Sequence, residues 1–217
     1  MSDTAANEHL AQASLHFGAD EKTARVAVLA LHGRGGSPAD MRSIADRVGL
    51  DDVAYAAPAA AGNTWYPLGF LAPFEDNAPY LGWALETVDA AVDDLRARGF
   101  SDDKIVLLGF SQGACLLAEW TLTHPSSFAG VVILTGGYIG PADAGQTFDA
   151  GRFDGVPVLL ATASEDPWVP LTRVHETASV FAELGADVQV IVEPGDVHQI
   201  TDEAISAARA VIAGVGR

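Results

Sequence analysis

Ile105-Val106-Leu107-Leu108-Gly109-Phe110-Ser111-Gln112-Gly113-Ala114-Cys115-Leu116-Leu117-Ala118-Glu119-Trp120 holds a strand, a turn and a helix in direct succession. The apolar run before Gly109 reads as a buried strand and the run after Gly113 as a helix, leaving a turn one serine wide. A nucleophile lifted onto so sharp a strand-to-helix turn sits in a strained backbone region where strand and helix nearly touch. Only residues without a Cβ fit at the flanking positions. The helix then aims its first N–H groups at negative charge developing beside Ser111. A chain with 11 Ser and 22 Gly would show Gly-x-Ser-x-Gly about 0.1 times by chance, so the strand and helix around it are what give it weight. The stretch predicts a serine hydrolase.

Outward from this stretch, strand and helix patterns alternate. Ser14–Phe17 is a weak first strand, and Arg25–Leu31 is a buried strand ending at His32-Gly33-Arg34-Gly35-Gly36. Ser37-Pro38-Ala39-Asp40 reads as a helix start, with a Ser cap, a Pro in the first turn and an acid at the third position. Met41, Ile44, Ala45 and Val48 give that helix its apolar face. A short strand, Val53–Ala56, leads into a Pro, Gly and aromatic-rich loop over 58–79, followed by a long amphipathic helix over Tyr80–Arg98. Strands at Val131–Leu134, Val156–Ala161 and Val188–Val192 alternate with helices at Leu171–Leu184 and Ile200–Ala213. Alternating apolar strands and helices predict an α/β sandwich with a mainly parallel sheet covered on both faces. No segment between strands is long enough for a cap, so one domain is expected over 1–217, with 1–13 a poorly ordered lead-in.

Composition narrows the function. Of 217 residues, 49% are hydrophobic and 19% charged, the balance of a globular chain. The net charge of −17, with Lys22 and Lys104 the only lysines, leaves no basic patch for nucleic acid or for an anionic membrane. Asp outnumbers Glu, and Arg largely replaces Lys, a pattern that fits a surface adapted to high salt. Cys115 is the single cysteine, which excludes an internal disulfide, offers no thiolate metal site and reads as core packing. The start has no signal-peptide pattern and no run is long enough to span a bilayer, so a cytoplasmic location without membrane insertion is the default expectation.

A nucleophilic serine needs a base, and the base needs an orienting acid. In α/β-hydrolases these follow in the order Ser, acid, His on loops after later strands. His198, in Glu193-Pro194-Gly195-Asp196-Val197-His198, stands after the last strand and before the last helix, where that order places the base. His9 and His16 precede the serine, His124 closes the following helix, and His175 falls within a helix. Asp166 is the favoured acid, because Pro167 can hold it rigidly; Glu165 is second, and Asp196 reads as a turn residue. The N–H groups of Arg34 and Gln112 are the candidate oxyanion donors, with Gly33 letting the backbone approach a substrate. Phe70, on the aromatic loop, and Trp168 are candidate substrate contacts.

Leu31-His32-Gly33-Arg34-Gly35-Gly36, the Gly109–Ala114 turn, Asp166-Pro167-Trp168-Val169-Pro170 and the Gly195/His198 pair resemble the phospholipase/carboxylesterase family, from about Arg25 to the end of the chain. The resemblance implies a capless α/β-hydrolase that cleaves carboxylic esters or thioesters without cofactor or metal. It assigns Ser111 as nucleophile, Asp166 as acid, His198 as base, Arg34 and Gln112 as oxyanion donors, and Trp65 as an aromatic residue beside the acyl pocket. Asp196 and Val197, and the surroundings of Trp65, depart from the eukaryotic thioesterase pattern and favour small esters of short to medium acyl length. Lysophospholipase, protein thioesterase or lactone hydrolase activity on the same fold stays open, as does a homodimer. An inactive binding module is disfavoured because all three triad positions are filled.

Overall fold

The computed structural model describes residues 6–124, 128–142, 147–148 and 153–216. Among these, seven strands form one sheet: β1 (Leu15–Gly18), β2 (Val26–Leu31), β3 (Val53–Ala57), β4 (Ile105–Phe110), β5 (Gly130–Leu134), β6 (Pro157–Ala163) and β7 (Asp187–Glu193). Their order is β1-β3-β2-β4-β5-β6-β7, parallel throughout except for β1 against β3. In a parallel sheet both faces are covered, so the central strands are apolar on successive residues. In β2, Ala27, Leu29 and Leu31 enter one core while Val26, Val28 and Ala30 enter the other.

Helices α1 (Pro38–Val48) and α5 (Asp202–Gly214) cover one face. Helices α2 (Tyr80–Ala97), α3 (Gln112–Thr123) and α4 (Leu171–Glu183) cover the other. The start of α1 is fixed as the sequence predicts: the Ser37 N–H donates to Asp40 Oδ2 at 2.7 Å, and Gly49, at φ 63°, ends the helix. Residues Gln112–Leu122 of α3 are all buried, which is why this helix lacks a polar stripe. Helix α5 begins later than expected, because Thr201 caps it by accepting the Ala204 N–H at 3.1 Å. Strand β4 runs on through Phe110 because Gly109 and Phe110 still pair with Ile133 and Leu134.

The chain passes from β2 to β3 on one side and later to β4 on the other. Leu31 and Gly109 lie opposite each other at the ends of β2 and β4, so the two loops that follow leave side by side. Crevices at such switch points are where open α/β sheets place their sites. Residues 1–5 of the lead-in lie outside the described residues; further along it, Asn7 Nδ2 donates to the Trp83 carbonyl at 2.9 Å, and His9 is 2% exposed. Among the described residues, no helix is long and apolar enough to cross a membrane.

Candidate active site

Ser111 has φ 53° and ψ −119°, a conformation that costs a non-glycine residue energy and persists only where its surroundings enforce it. Strand and helix both enforce it. The Ser111 N–H donates to the Leu134 carbonyl, and the Cys115 N–H donates to the Ser111 carbonyl, each at 2.9 Å. A Cβ on Gly109 would lie 2.6 Å from Ala114 Cα, and one on Gly113 would lie 2.4 Å from the Leu31 carbonyl oxygen. Those obstacles are main-chain atoms, so neither position tolerates a side chain.

Loops after β6 and β7 bring the acid and the imidazole to this serine. The Ser164 N–H donates to Glu193 O at 2.8 Å and the Glu165 N–H to Gly195 O at 2.9 Å, tying the two loops together. Ser111 Oγ lies 2.8 Å from His198 Nε2, and His198 Nδ1 lies 2.7 Å from Asp166 Oδ2. The Asp166 carboxylate has no exposed surface. Its other oxygen accepts the N–H groups of Trp168 at 2.9 Å and Val169 at 3.0 Å. Pro167, lacking an N–H, leaves those two as the donors within the turn. Glu165 and Asp196 are exposed, and among the described residues neither hydrogen-bonds to His198. Such a row can move the serine proton to Nε2 while the buried carboxylate holds the tautomer and stabilises the imidazolium.

The loop after β2 runs against the serine: a Cβ on Gly33 would lie 3.1 Å from Ser111 Cβ. Gln112 opens α3, and among the described residues neither its N–H nor that of Arg34 is given to an acceptor. His32 braces this loop in a way the sequence reading did not weigh. Its Nε2 accepts the Ala60 N–H at 3.1 Å and its Nδ1–H donates to Gly33 O at 2.8 Å. Burial pushes the His32 pKa below the usual histidine range, which keeps the ring neutral and this bonding pattern intact.

A cavity of about 490 Å³ opens beside Ser111 and His198. Residues 66–70 form one wall, Trp168 and Val169 another, and Arg34, Gln112 and Cys115 complete the lining. Burial pushes the Cys115 thiol up to about 12, so it contributes surface and not a thiolate. Of the expected substrate contacts, Phe70 and Trp168 line the cavity, Trp168 with 72% of its surface exposed at the mouth. Gly33 and Trp65 do not. Gly33 is spent on the close approach to Ser111. Trp65 is fully buried because its indole N–H finds an acceptor in the His32 carbonyl at 2.8 Å. Tyr66, Pro67, Leu68 and Gly69 take its place on the wall. The sequence signal that could have found them is their position in the aromatic loop directly after Trp65.

Residues 17–215 match the model of the family described as Phospholipase/Carboxylesterase. The chain belongs to this family. A phospholipase/carboxylesterase crystal structure from Dyadobacter fermentans is similar at 37% identity and a TM-score of 0.88, covering 93% of this chain and 96% of that one. The Bacillus cereus carboxylesterase shares the fold, with a TM-score of 0.73 at 18% identity over 96% of this chain and 99% of its own. Acyl-protein thioesterase 1 of Gibberella zeae is 32% identical over 117 residues, 52% of this chain. The match spans about half the length of that curated relative, 49%.

Proposed function

We propose that the chain is a serine carboxylesterase that hydrolyses short- to medium-chain carboxylic esters or thioesters through an acyl-enzyme. The observation that carries this reading is the unbroken row from Ser111 Oγ through His198 to the buried Asp166, with contacts of 2.8 and 2.7 Å. In this reading, Ser111 Oγ attacks the acyl carbonyl as its proton passes to His198 Nε2. The carbonyl oxygen, now an oxyanion, takes the N–H groups of Arg34 and Gln112. His198 returns the proton to the leaving alcohol or thiol as the acyl-enzyme forms. Water then repeats the sequence and releases the carboxylic acid. Side chains and water handle every proton, so no cofactor enters.

The cavity supports this substrate range. Tyr66, Pro67, Leu68 and Phe70 offer an acyl chain an apolar wall, and the volume near 490 Å³ suits a chain of modest length. Its open mouth fits substrates that reach the serine without an interface-driven lid movement. Similarity to a thioesterase over half of that protein keeps thioesters among the substrates. The test is a panel of esters, thioesters, lactones and lysophospholipids, run on the wild type and on Ser111→Ala and His198→Ala. Short- to medium-chain esters or thioesters should turn over best, and each substitution should lower turnover about 10⁴- to 10⁶-fold with the fold retained. Wild-type rates in Ser111→Ala, or lactones as the best substrates, would overturn the reading.

A further inference from the structure

Residues 65–69 follow neither strand nor helix geometry, yet all five of their carbonyls accept a hydrogen bond from a side chain outside the segment. His9 Nε2–H donates to Trp65 O at 2.9 Å, its Nδ1 being occupied by the Ala61 N–H. Arg34 Nη1 donates to Pro67 O at 2.8 Å, and its Nη2 donates to Tyr66 O at 3.0 Å and to Leu68 O. Gln112 Nε2 donates to Tyr66 O at 2.7 Å while its Oε1 accepts the Trp65 N–H at 3.0 Å. Asn77 donates to Gly69 O at 3.3 Å and accepts the Leu68 N–H at 2.8 Å. The two residues that converge on Tyr66 O, Arg34 and Gln112, are the same two whose main-chain N–H groups the esterase reading assigns to the oxyanion. A planar guanidinium forked over three carbonyls sets position as well as attraction, in a way a lysine ammonium does not.

Resting on the esterase reading, we propose that the Arg34 and Gln112 side chains are positioning residues that fasten segment 65–69, whose residues 66–69 wall the cavity, to the oxyanion hole. Acyl-chain binding and oxyanion placement are then one mechanical unit. A chain that presses on Tyr66 and Leu68 is registered against the same residues that receive the negative charge. Loosening the fastening therefore costs more for acyl chains long enough to use the wall than for acetyl, which reaches only the hole.

The experiment measures kcat and KM for p-nitrophenyl acetate, butanoate and hexanoate in the wild type, R34A, R34K and Q112A, with Tm recorded for each. All three variants keep the main-chain N–H. The loss in kcat/KM should grow along the series, ending about tenfold larger for hexanoate than for acetate, equivalent to about 1.4 kcal/mol of lost positioning. R34K, which keeps the charge without the fork, should show the same growing loss. R34A combined with Q112A should lose less than the product of the single effects, because both side chains hold Tyr66 O. A loss equal at every acyl length, or full recovery in R34K, would overturn the proposal. If R34A does not fold, R34K and Q112A carry the same comparison. A wild-type rate in S111A would instead sink the esterase reading, separately from the acyl-length pattern.

Discussion

Asp166 and Asp196 both lie close to His198 in sequence or in space, and only the environment of each carboxylate separates them. Asp166 is enclosed, receives two main-chain N–H groups and meets His198 Nδ1 at 2.7 Å, whereas Asp196 is exposed. Asp166→Asn should reduce kcat by about 10³- to 10⁴-fold by holding the wrong imidazole tautomer, while Asp196→Asn should change it less than about threefold. Steady-state kinetics on one activated ester decides between them, and a larger loss in Asp196→Asn would reverse the assignment. At this scale the sequence was legible wherever a residue sits at the end of a strand. Ser111, Asp166 and His198 are placed by strand order and by Gly and Pro constraints that act over a few residues. Trp65 was not legible, because its orientation depends on an acceptor, the His32 carbonyl, that reaches it only when the loop after β3 folds across the end of β2.

Helix α3 illustrates the same division among elements. Its start follows from Gly113 and the apolar run. Its burial from Gln112 to Leu122, and with it that of Glu119, follows from the packing of α2 and of strands β2, β4 and β5 against it. Glu119 is 3% exposed and accepts the Ile139 N–H at 3.0 Å, fixing the segment after β5. Desolvation pushes its pKa up to about 7 against the opposing effects of that N–H and of Arg173. A folded pKa above the ordinary value of 4.5 means that the protonated acid favours the fold. That contribution is full below about pH 4.5 and is lost as the pH rises through about 7. Glu119→Gln keeps an acceptor for Ile139 without the ionisation. It should therefore raise stability at pH 8, by about 3 kcal/mol at most, and change it little at pH 4.5. Thermal melts of both proteins at the two pH values test this; a variant less stable than wild type at pH 8 would contradict it. Element boundaries fell within a few residues of the sequence reading because caps such as Thr201 and turns such as Gly49 are local. The docking of Asn7 and His9 was not legible, since both contact residues more than 50 positions away.

For the molecule as a whole, 29 acidic against 12 basic residues leave a net charge of −17. Several arginines are already committed to nearby acids, as in Arg96 with Asp102 at 2.8 Å, Arg98 with Asp94 at 2.6 Å and Arg47 with Asp202 at 2.8 Å. Exposed pairs of this kind are worth about 0–1 kcal/mol each. Repulsion among the excess carboxylates is therefore the larger electrostatic effect at low ionic strength. Salt shortens the screening length from about 10 Å at 0.1 M to about 3 Å at 1 M, removing most of that repulsion. Tm should rise between 0.1 M and more than 1 M KCl, and ester hydrolysis should follow the folded fraction. Screening of the ion pairs alone would lower Tm, so the sign is the test. A flat or falling Tm would remove the salt-adapted reading and leave the chemistry of the site untouched.

Intact-mass spectrometry during turnover bears most directly on that chemistry. The protein is mixed with excess p-nitrophenyl butanoate, quenched in acid within the burst phase and digested for peptide mapping. A mass increase of one butanoyl group on the peptide carrying Ser111, absent in Ser111→Ala, is the expected result. Multiple turnovers of wild-type protein with the acyl group on another residue, or undiminished turnover in Ser111→Ala, would contradict an acyl-enzyme at Ser111.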